Sequence, residues 1–352
     1  MNPTFLLSEA HDLNSRICLD RDSGATRSQP SVVPESQLSY RTVVVERSGP
    51  KIVERSLEGL DESDVLIRVE SLGLCRTDLR VYQGDIPAAF PLIPGHEFSG
   101  VVEQTGASVE HLSSGDRVAV NPVLACGNCV FCEEQQCPET KFLGLDMDGA
   151  CAEYCKLPSS AVYPIPDTMP FEVAAFAEPV AASLAVLNAD IEPTQRGVLL
   201  GDNRIATLTR RILRAHHFEQ VQQVSAEQLS MLPRHSFDFA IETLATTETI
   251  QELVRSVRPS GLVVLKSRQQ VPIELNLAAL LPKNIRFQCV NYGSFQAAID
   301  LLATAAVDVT DLIGPAFGFS QYVEAFESAI NDESSKVFIR PQVDTLDNDG
   351  DG

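Results

Sequence analysis

The pattern of the sequence changes at Pro166, and no other feature constrains the fold as tightly. From about Tyr40 to residue 165 come short runs rich in Val and Ile, "RTVVVERS", "DVLIRVESLGL", "FSGVVEQTG" and "DRVAVNPV", punctuated by Gly, Pro and Asp. Runs of this kind predict the strands of a small barrel-like β domain. Beyond Pro166, "PFEVAAFAEPVAASLAVLNA" is alanine-rich and nearly all apolar, as a buried helix is. Then strands and helices alternate: "GVLL", a helix over 203–215, a strand near "EQVQQV", strand "FDFAIE", helix "TTETIQELVRSV", turn "RPSG" and strand "LVVLKS". Helices "SFQAAIDLLATA" and "QYVEAFESAI" and a strand "KVFIRP" close the chain. Alternation predicts a parallel, doubly wound sheet, so the fold class is α/β with a β-barrel domain beside it.

One connection is too short for that plan. Only "SAEQLSMLPRHS" separates "EQVQQV" from "FDFAIE". A single crossover between parallel strands uses about a dozen residues, so a helix–strand–helix cannot fit and the sheet is expected to lack a strand. At the ends, residues 1–38 lack periodicity and predict a disordered tail, and residues 343–352, "VDTLDNDGDG", predict a solvated acidic one.

The 352 residues suffice for two cores. A balance of 27 basic against 48 acidic residues, a formal charge of -21, repels phosphate backbones and anionic membrane surfaces. Nucleic acid and membrane are therefore not expected as partners. No uninterrupted apolar run is long enough to span a bilayer, and "MNPTFLLSEAHD" lacks the apolar centre of a secretory signal, so a cytoplasmic location is expected.

Four of the nine cysteines crowd into "CGNCVFCEEQQCP" as Cys126, Cys129, Cys132 and Cys137. Four thiolates at such spacing close a tetrahedral Zn²⁺ shell with no open position, which makes a structural site. An iron–sulfur run would place its last cysteine one residue earlier. A second set is dispersed: Cys75 in "GLCRTD", His96 and Glu97 in "PGHE", and Glu178 in "FAEPVAA". Glu178 is the most telling, because an ionised carboxylate in an apolar helix needs a partner or a metal. Cys, His and Glu suit zinc with one position left for water or substrate. Each residue alone is equally an ordinary turn or core residue, and spacing does not decide.

The turn after "GVLL" is ambiguous in its own way. A phosphate loop reads G-x-G-x-x-G, and this chain places Gly201, Asn203 and Ala206 there. Gly201 supplies the tight turn and Ala206 is tolerated, but Asn203 adds bulk where backbone should approach a diphosphate. Backbone amides at the helix start, around Arg204 and Ile205, remain candidates for an anion. Arg204 adds a nearby positive charge.

Taken in order, "GLCRTD", "PLIPGHEFSGVV", "GDRV", "CGNCVFC", "GACAEY", "AEPVAASLAV", "FDFAIE" and "RPSGLVVLKS" resemble the zinc-dependent medium-chain alcohol dehydrogenase superfamily, nearer its sorbitol, glucose and threonine dehydrogenase branch. The resemblance runs from about residue 40 to 340. It implies a GroES-like catalytic domain over 39–185, a Rossmann cofactor domain over 186–305 and a return to the catalytic domain over 306–342. It implies catalytic zinc on Cys75, His96 and Glu97 or Glu178, structural zinc on the four clustered cysteines, and NAD or NADP as cofactor. Zinc would act as a Lewis acid on a small alcohol or polyol, and hydride would pass to the nicotinamide. Thr77 matches the hydroxyl that accepts the alcohol proton, and Asp78 matches a carboxylate that orients a ligand. A homo-oligomer pairing through the cofactor domain is implied as well.

Four departures qualify the resemblance. The lobe leaves four residues, not the family's usual spacing, before Cys137. Arg80 stands where a relay histidine is frequent, and arginine stays protonated. Asn203 replaces the middle glycine. At the end of the second strand, where the family places a ribose-binding acid, stand Ser225 and nearby Glu227. These departures support a second reading, a catalytically degenerate, metal-stabilised scaffold or small-molecule binder. A zinc-free quinone-type reductase on the same fold is opposed by Cys75, His96 and Glu178.

Overall fold

The computed structural model describes residues 38–346, apart from 58, 87–88, 133–136, 269–270 and 333. The tail expected over 1–38 lies outside the described residues except for Leu38. The Leu38 carbonyl accepts the Leu57 amide at 2.9 Å, so that residue already belongs to the body.

The first part is built from β1 (Ser39–Glu46), β2 (Gly49–Ser56), β3 (Asp64–Gly73), α1 (Arg76–Gln83), β4 (Glu97–Thr105), β5 (Arg117–Val120), β6 (Val123–Leu124), β7 (Lys141–Phe142), β8 (Tyr154–Pro158) and β9 (Val162–Pro164). The apolar stretch after Pro166 forms α2 (Phe171–Ala175) and α3 (Ala177–Leu184), followed by a 3₁₀ turn. The sequence predicts one helix here. Pro179 has no amide to donate and so breaks the ladder, resetting the helix at Phe176.

Next come β10 (Gly197–Leu200), α4 (Arg204–Ala215), β11 (Val221–Val224), β12 (Phe237–Glu242), α5 (Thr247–Ser256), β13 (Val257–Leu265), α6 (Leu277–Leu280), β14 (Arg286–Cys289) and α7 (Phe295–Ala303). β15 (Ile313–Gly318), α8 (Tyr322–Asn331) and β16 (Lys336–Arg340) follow. The expected "RPSG" turn is instead a bulge inside β13, where Ser260 has φ 61° and the register against β12 shifts.

Two large sheets result. One has the order β15-β16-β3-β4-β5-β9, with β8 also paired to β3, so the C-terminal strands return to the first sheet. The other is parallel throughout, in the order β11-β10-β12-β13-β14. Its β11 has a single partner, and the path from β11 to β12 holds only a 3₁₀ turn at Leu229–Met231. Among the described residues no strand lies beyond β11, as the short connection predicts.

Apolar alternation decides the packing. Val43, Val65, Ile67, Val69, Leu72, Val118 and Ile339 fill the barrel side, while Val198, Leu200, Ala240, Leu253 and Val263 fill one face of the parallel sheet. Residues Phe171–Asn188, apolar enough to be mistaken for a spanning helix, are two-thirds buried inside this body.

The start of the expected acidic tail needs correction. Residues 343–346 are tied down: the Val343 carbonyl accepts the Phe319 amide, and the Asp344 carboxylate meets Arg41 at 2.7 Å. Residues 347–352 lie outside the described residues.

Candidate functional site

Two clusters of metal-binding atoms form, both from residues flagged by the sequence. The Cys126, Cys129, Cys132 and Cys137 sulfurs all lie within 4.8 Å of one another, with separations of 3.4 Å for Cys129–Cys132, 3.6 Å for Cys126–Cys132 and 3.7 Å for Cys129–Cys137. Tetrahedral zinc with bonds of about 2.3 Å places its sulfurs about 3.8 Å apart, so the set fits that ion. The thiols share protons. The Cys129 backbone and the neighbouring thiols hold Cys132 down, at about 6, while hydrogen bonding to Cys132 pushes Cys129 up, to about 12.

The second cluster joins Cys75, His96 and Glu97, again within 4.8 Å. Cys75 is the N-cap of α1, and Asp78 in that helix's first turn reaches back to accept the Cys75 amide at 2.9 Å. Its other oxygen accepts the Gly95 amide at 2.8 Å and stands 3.2 Å from His96 Nδ1, bent out of line for a full hydrogen bond. Fully buried Asp78 thus ties the two loops carrying Cys75 and His96 to one carboxylate and directs Nε2 of the imidazole away from itself.

The local charges are unusual. Burial would raise the Cys75 thiol and lower the His96 imidazole. At Cys75 the attraction of the His96 imidazolium outweighs burial and the opposing Asp78 charge, so the thiol titrates below its ordinary value, while Asp78 and Cys75 together hold His96 well above. Burial likewise opposes ionisation of Asp78, but His96 and two amides hold its carboxyl below the usual range. A half-buried thiolate beside a buried imidazole and carboxylate, able to exchange protons for a cation, forms a donor set that fits zinc.

The two glutamates separate. Glu97 stands with Cys75 and His96, and the Lys336 ammonium also binds it. Glu178, 5% exposed, is outside the trio and accepts the Tyr292 hydroxyl. Lys336 opens β16 and lies 5.2 Å over the Phe176 ring. A Cβ on Gly73 would stand 2.6 Å from the Lys336 stem, so that glycine gives the lysine its room. Burial lowers Lys336 to about 8, against the pull of Cys75 and Asp78. Thr77 is half-buried in the first turn of α1, and Arg80 is exposed on the same helix.

The dinucleotide turn keeps its frame. Gly201 has φ 128°, and a Cβ there would sit 2.2 Å from Thr243 Oγ1. Asn203 is the N-cap of α4: its Oδ1 accepts the Ala206 amide at 2.9 Å, and its Nδ2 donates to Thr243 Oγ1 at 3.1 Å. One amide of the helix start is thereby taken by the protein itself. The Arg204 guanidinium donates to the Ser335 carbonyl oxygen, which ties this charge to the chain before β16. Ile205 is half-buried in the first turn of α4. Ser225 donates to Glu227 at 2.6 Å just beyond β11. The frame fits a diphosphate provided Asn203 yields the Ala206 amide.

Sequence reasoning missed the groups that face the trio from β7 and from the ends of the parallel strands. Phe142 stacks edge-on against His96 at 5.0 Å and lies 6.3 Å from Tyr292. Lys266 and Arg268 follow β13. Burial lowers Lys266 to about 8 while Glu178 and Glu242 partly restore it. Their signal was a pair of basic residues ending the apolar run "LVVLKSR".

Residues 61–167 match the alcohol dehydrogenase GroES-like domain. The chain is 27% identical over 337 residues to sorbitol dehydrogenase of Bacillus subtilis (strain 168), covering 83% of this chain and 94% of that one. Over most of its length the chain is similar to zinc-type medium-chain dehydrogenases. A 119-residue stretch is 44% identical to an alcohol dehydrogenase of Geobacillus stearothermophilus, spanning 32% of this chain and 35% of that one. The fold matches an Escherichia coli CFT073 structure described as a short chain alcohol dehydrogenase complexed with NADH, with TM-score 0.79, 21% identity, and coverage of 86% and 99%.

Proposed function

We propose that the protein is a zinc-dependent oxidoreductase that moves a hydride between an alcohol or polyol and NAD or NADP. The observation carrying this reading is the Cys75–His96–Glu97 trio, facing the C-terminal ends of the parallel strands where α/β sheets bind ligands. The sorbitol dehydrogenase relative and the NADH-bound neighbour agree with it.

Cys75, His96 and Glu97 would hold the catalytic zinc, and the four clustered cysteines a structural one. Zinc supplies Lewis acidity toward an alcohol oxygen, and the nicotinamide supplies the hydride acceptor. The chain does the rest. Asp78 fixes the His96 ring and the Cys75 backbone. Lys336 pairs with Glu97 and offsets its charge in a buried setting. Thr77 takes the alcohol proton, and Arg80 does not relay it onward. Phe142 and Tyr292 wall the trio from water. Gly201 and the start of α4 receive the diphosphate, with Ser225 near the adenosine end.

The test is alcohol- and polyol-dependent formation of NADH or NADPH by zinc-loaded protein. Turnover that requires zinc and Cys75 supports the reading. Absence of turnover across simple alcohols, polyols and their anionic derivatives with both cofactors would overturn it. We place the activity in the cytoplasm, on a homo-oligomer.

A further inference from the structure

Each carboxylate around the trio has its own donor. Asp78 takes the Cys75 and Gly95 amides, Glu97 takes Lys336, and Glu178 takes Tyr292. Glu242, at the end of β12, accepts the Lys266 and Ser267 amides at 2.7 and 2.9 Å. Arg268 is the cation left over. Its guanidinium carbon lies 5.3 Å from the Phe142 ring centre and 5.4 Å from that of Tyr292. Among the described residues its one hydrogen bond goes from Nη2 to Asn291 Oδ1 at 2.9 Å. Among the described residues no carboxylate pairs with it, in a chain of net charge -21.

These contacts make Arg268 part of a built surface. Phe142 touches His96 on one side and carries Arg268 on the other, while Tyr292 joins Arg268 to Glu178. The two rings hold the guanidinium by its face. Five N–H donors lie in its plane, and Asn291 uses one. An exposed, ring-held, carboxylate-free fork is suited to a planar or tetrahedral oxyanion, which it binds through paired N–H bonds. Lys266, two residues earlier on the same strand end, adds a second cation beneath it.

Resting on the oxidoreductase reading above, we infer that Arg268 binds an anionic group on the substrate, so that the preferred substrate is a polyol bearing a phosphate or carboxylate away from the reacting carbon. The hydroxyl end lies toward Cys75, His96 and Glu97, and the anion lies on the Phe142–Tyr292 shelf. Arg268 is then the residue that sets substrate class.

The test compares a pentitol, a pentitol phosphate and a pentonate in zinc-loaded full-length protein, using both turnover and calorimetric binding. The expected result is a preference for one anionic substrate over the neutral one of about tenfold or more, the worth of a charge-assisted hydrogen bond. Arg268→Gln should lower that ratio of kcat/KM by about the same factor, through KM and not kcat, and Arg268→Lys should restore part of it. The phosphate and carboxylate arms show which anion is favoured. Equal ratios in wild type and Arg268→Gln would overturn the inference while leaving the oxidoreductase reading intact. A matching rise in the NADH dissociation constant would overturn it too, by giving Arg268 to the cofactor. If nothing is turned over, the oxidoreductase reading falls, and equal calorimetric binding of the pentitol phosphate to both proteins removes this inference as well.

Discussion

The metal-binding half and the dinucleotide-binding half of this molecule have fared differently. Around the half-buried Cys75 the buried donors His96 and Glu97, their orienting carboxylate Asp78 and the balancing Lys336 are all in place. Around Gly201 the frame persists, but Asn203 caps the helix that should face a diphosphate, and the sheet ends at β11. Metal ligation needs several side chains in exact mutual register, so loss of one is loss of function. Dinucleotide binding spreads its affinity over many weak backbone contacts, so a trimmed wall weakens it without abolishing it.

That contrast can be broken most directly in the metal half. Cys75→Ser should cut turnover more than about 100-fold, beyond the range for orienting partners, and remove one of two zinc equivalents while circular dichroism stays native. Full activity in that variant would place the chemistry elsewhere. Asp78→Asn should weaken the catalytic zinc by about 10–100-fold, read by competition with a chelator. In the lobe, Cys129→Ala should cost the other zinc equivalent and several degrees of melting temperature, since bound metal adds directly to folding free energy.

The dinucleotide half gives smaller effects of opposite sign. Asn203→Gly frees the Ala206 amide and should tighten NADH binding by about fivefold, the worth of one hydrogen bond, while costing only a few tenths of a kcal/mol as a cap. Unchanged or weaker binding would mean that Asn203 is a ligand of the diphosphate and no obstacle to it. Lys266 provides a pH probe of the cleft. Its folded pKa of about 8 lies below its ordinary 10.5, so between those values the unfolded chain holds more protons. Stability contributed there should rise with pH across that window, and Lys266→Met should flatten the rise in denaturant titrations at several pH values.

How much of this was legible in the sequence follows from the range of the interactions. "FDFAIE" and the helix after Asn203 are set by local periodicity and a cap, and both form where the sequence places them. The missing strand was legible because chain length alone forbids it. The break at Phe176 and the bulge at Ser260 were not, because apolar content and a turn-like tetrapeptide hid a proline and a register shift. The metal donors sit in short motifs and could be named. Lys336, Tyr292, Phe142 and Arg268 reach the same place from four separate strand ends, and no local pattern announces that meeting. Arg204 shows the converse: a charge placed by the sequence acquires a partner, the Ser335 carbonyl, which only the fold brings near.

The most direct single measurement is a fluorescence titration of NADH and NADPH into zinc-replete protein with its metal content determined. Saturable binding of one of them at micromolar levels is the predicted result, and it would show that a capped, trimmed Rossmann half still serves the intact metal half. No binding of either to folded protein holding two zinc ions would contradict the account and leave a metal-stabilised scaffold in its place.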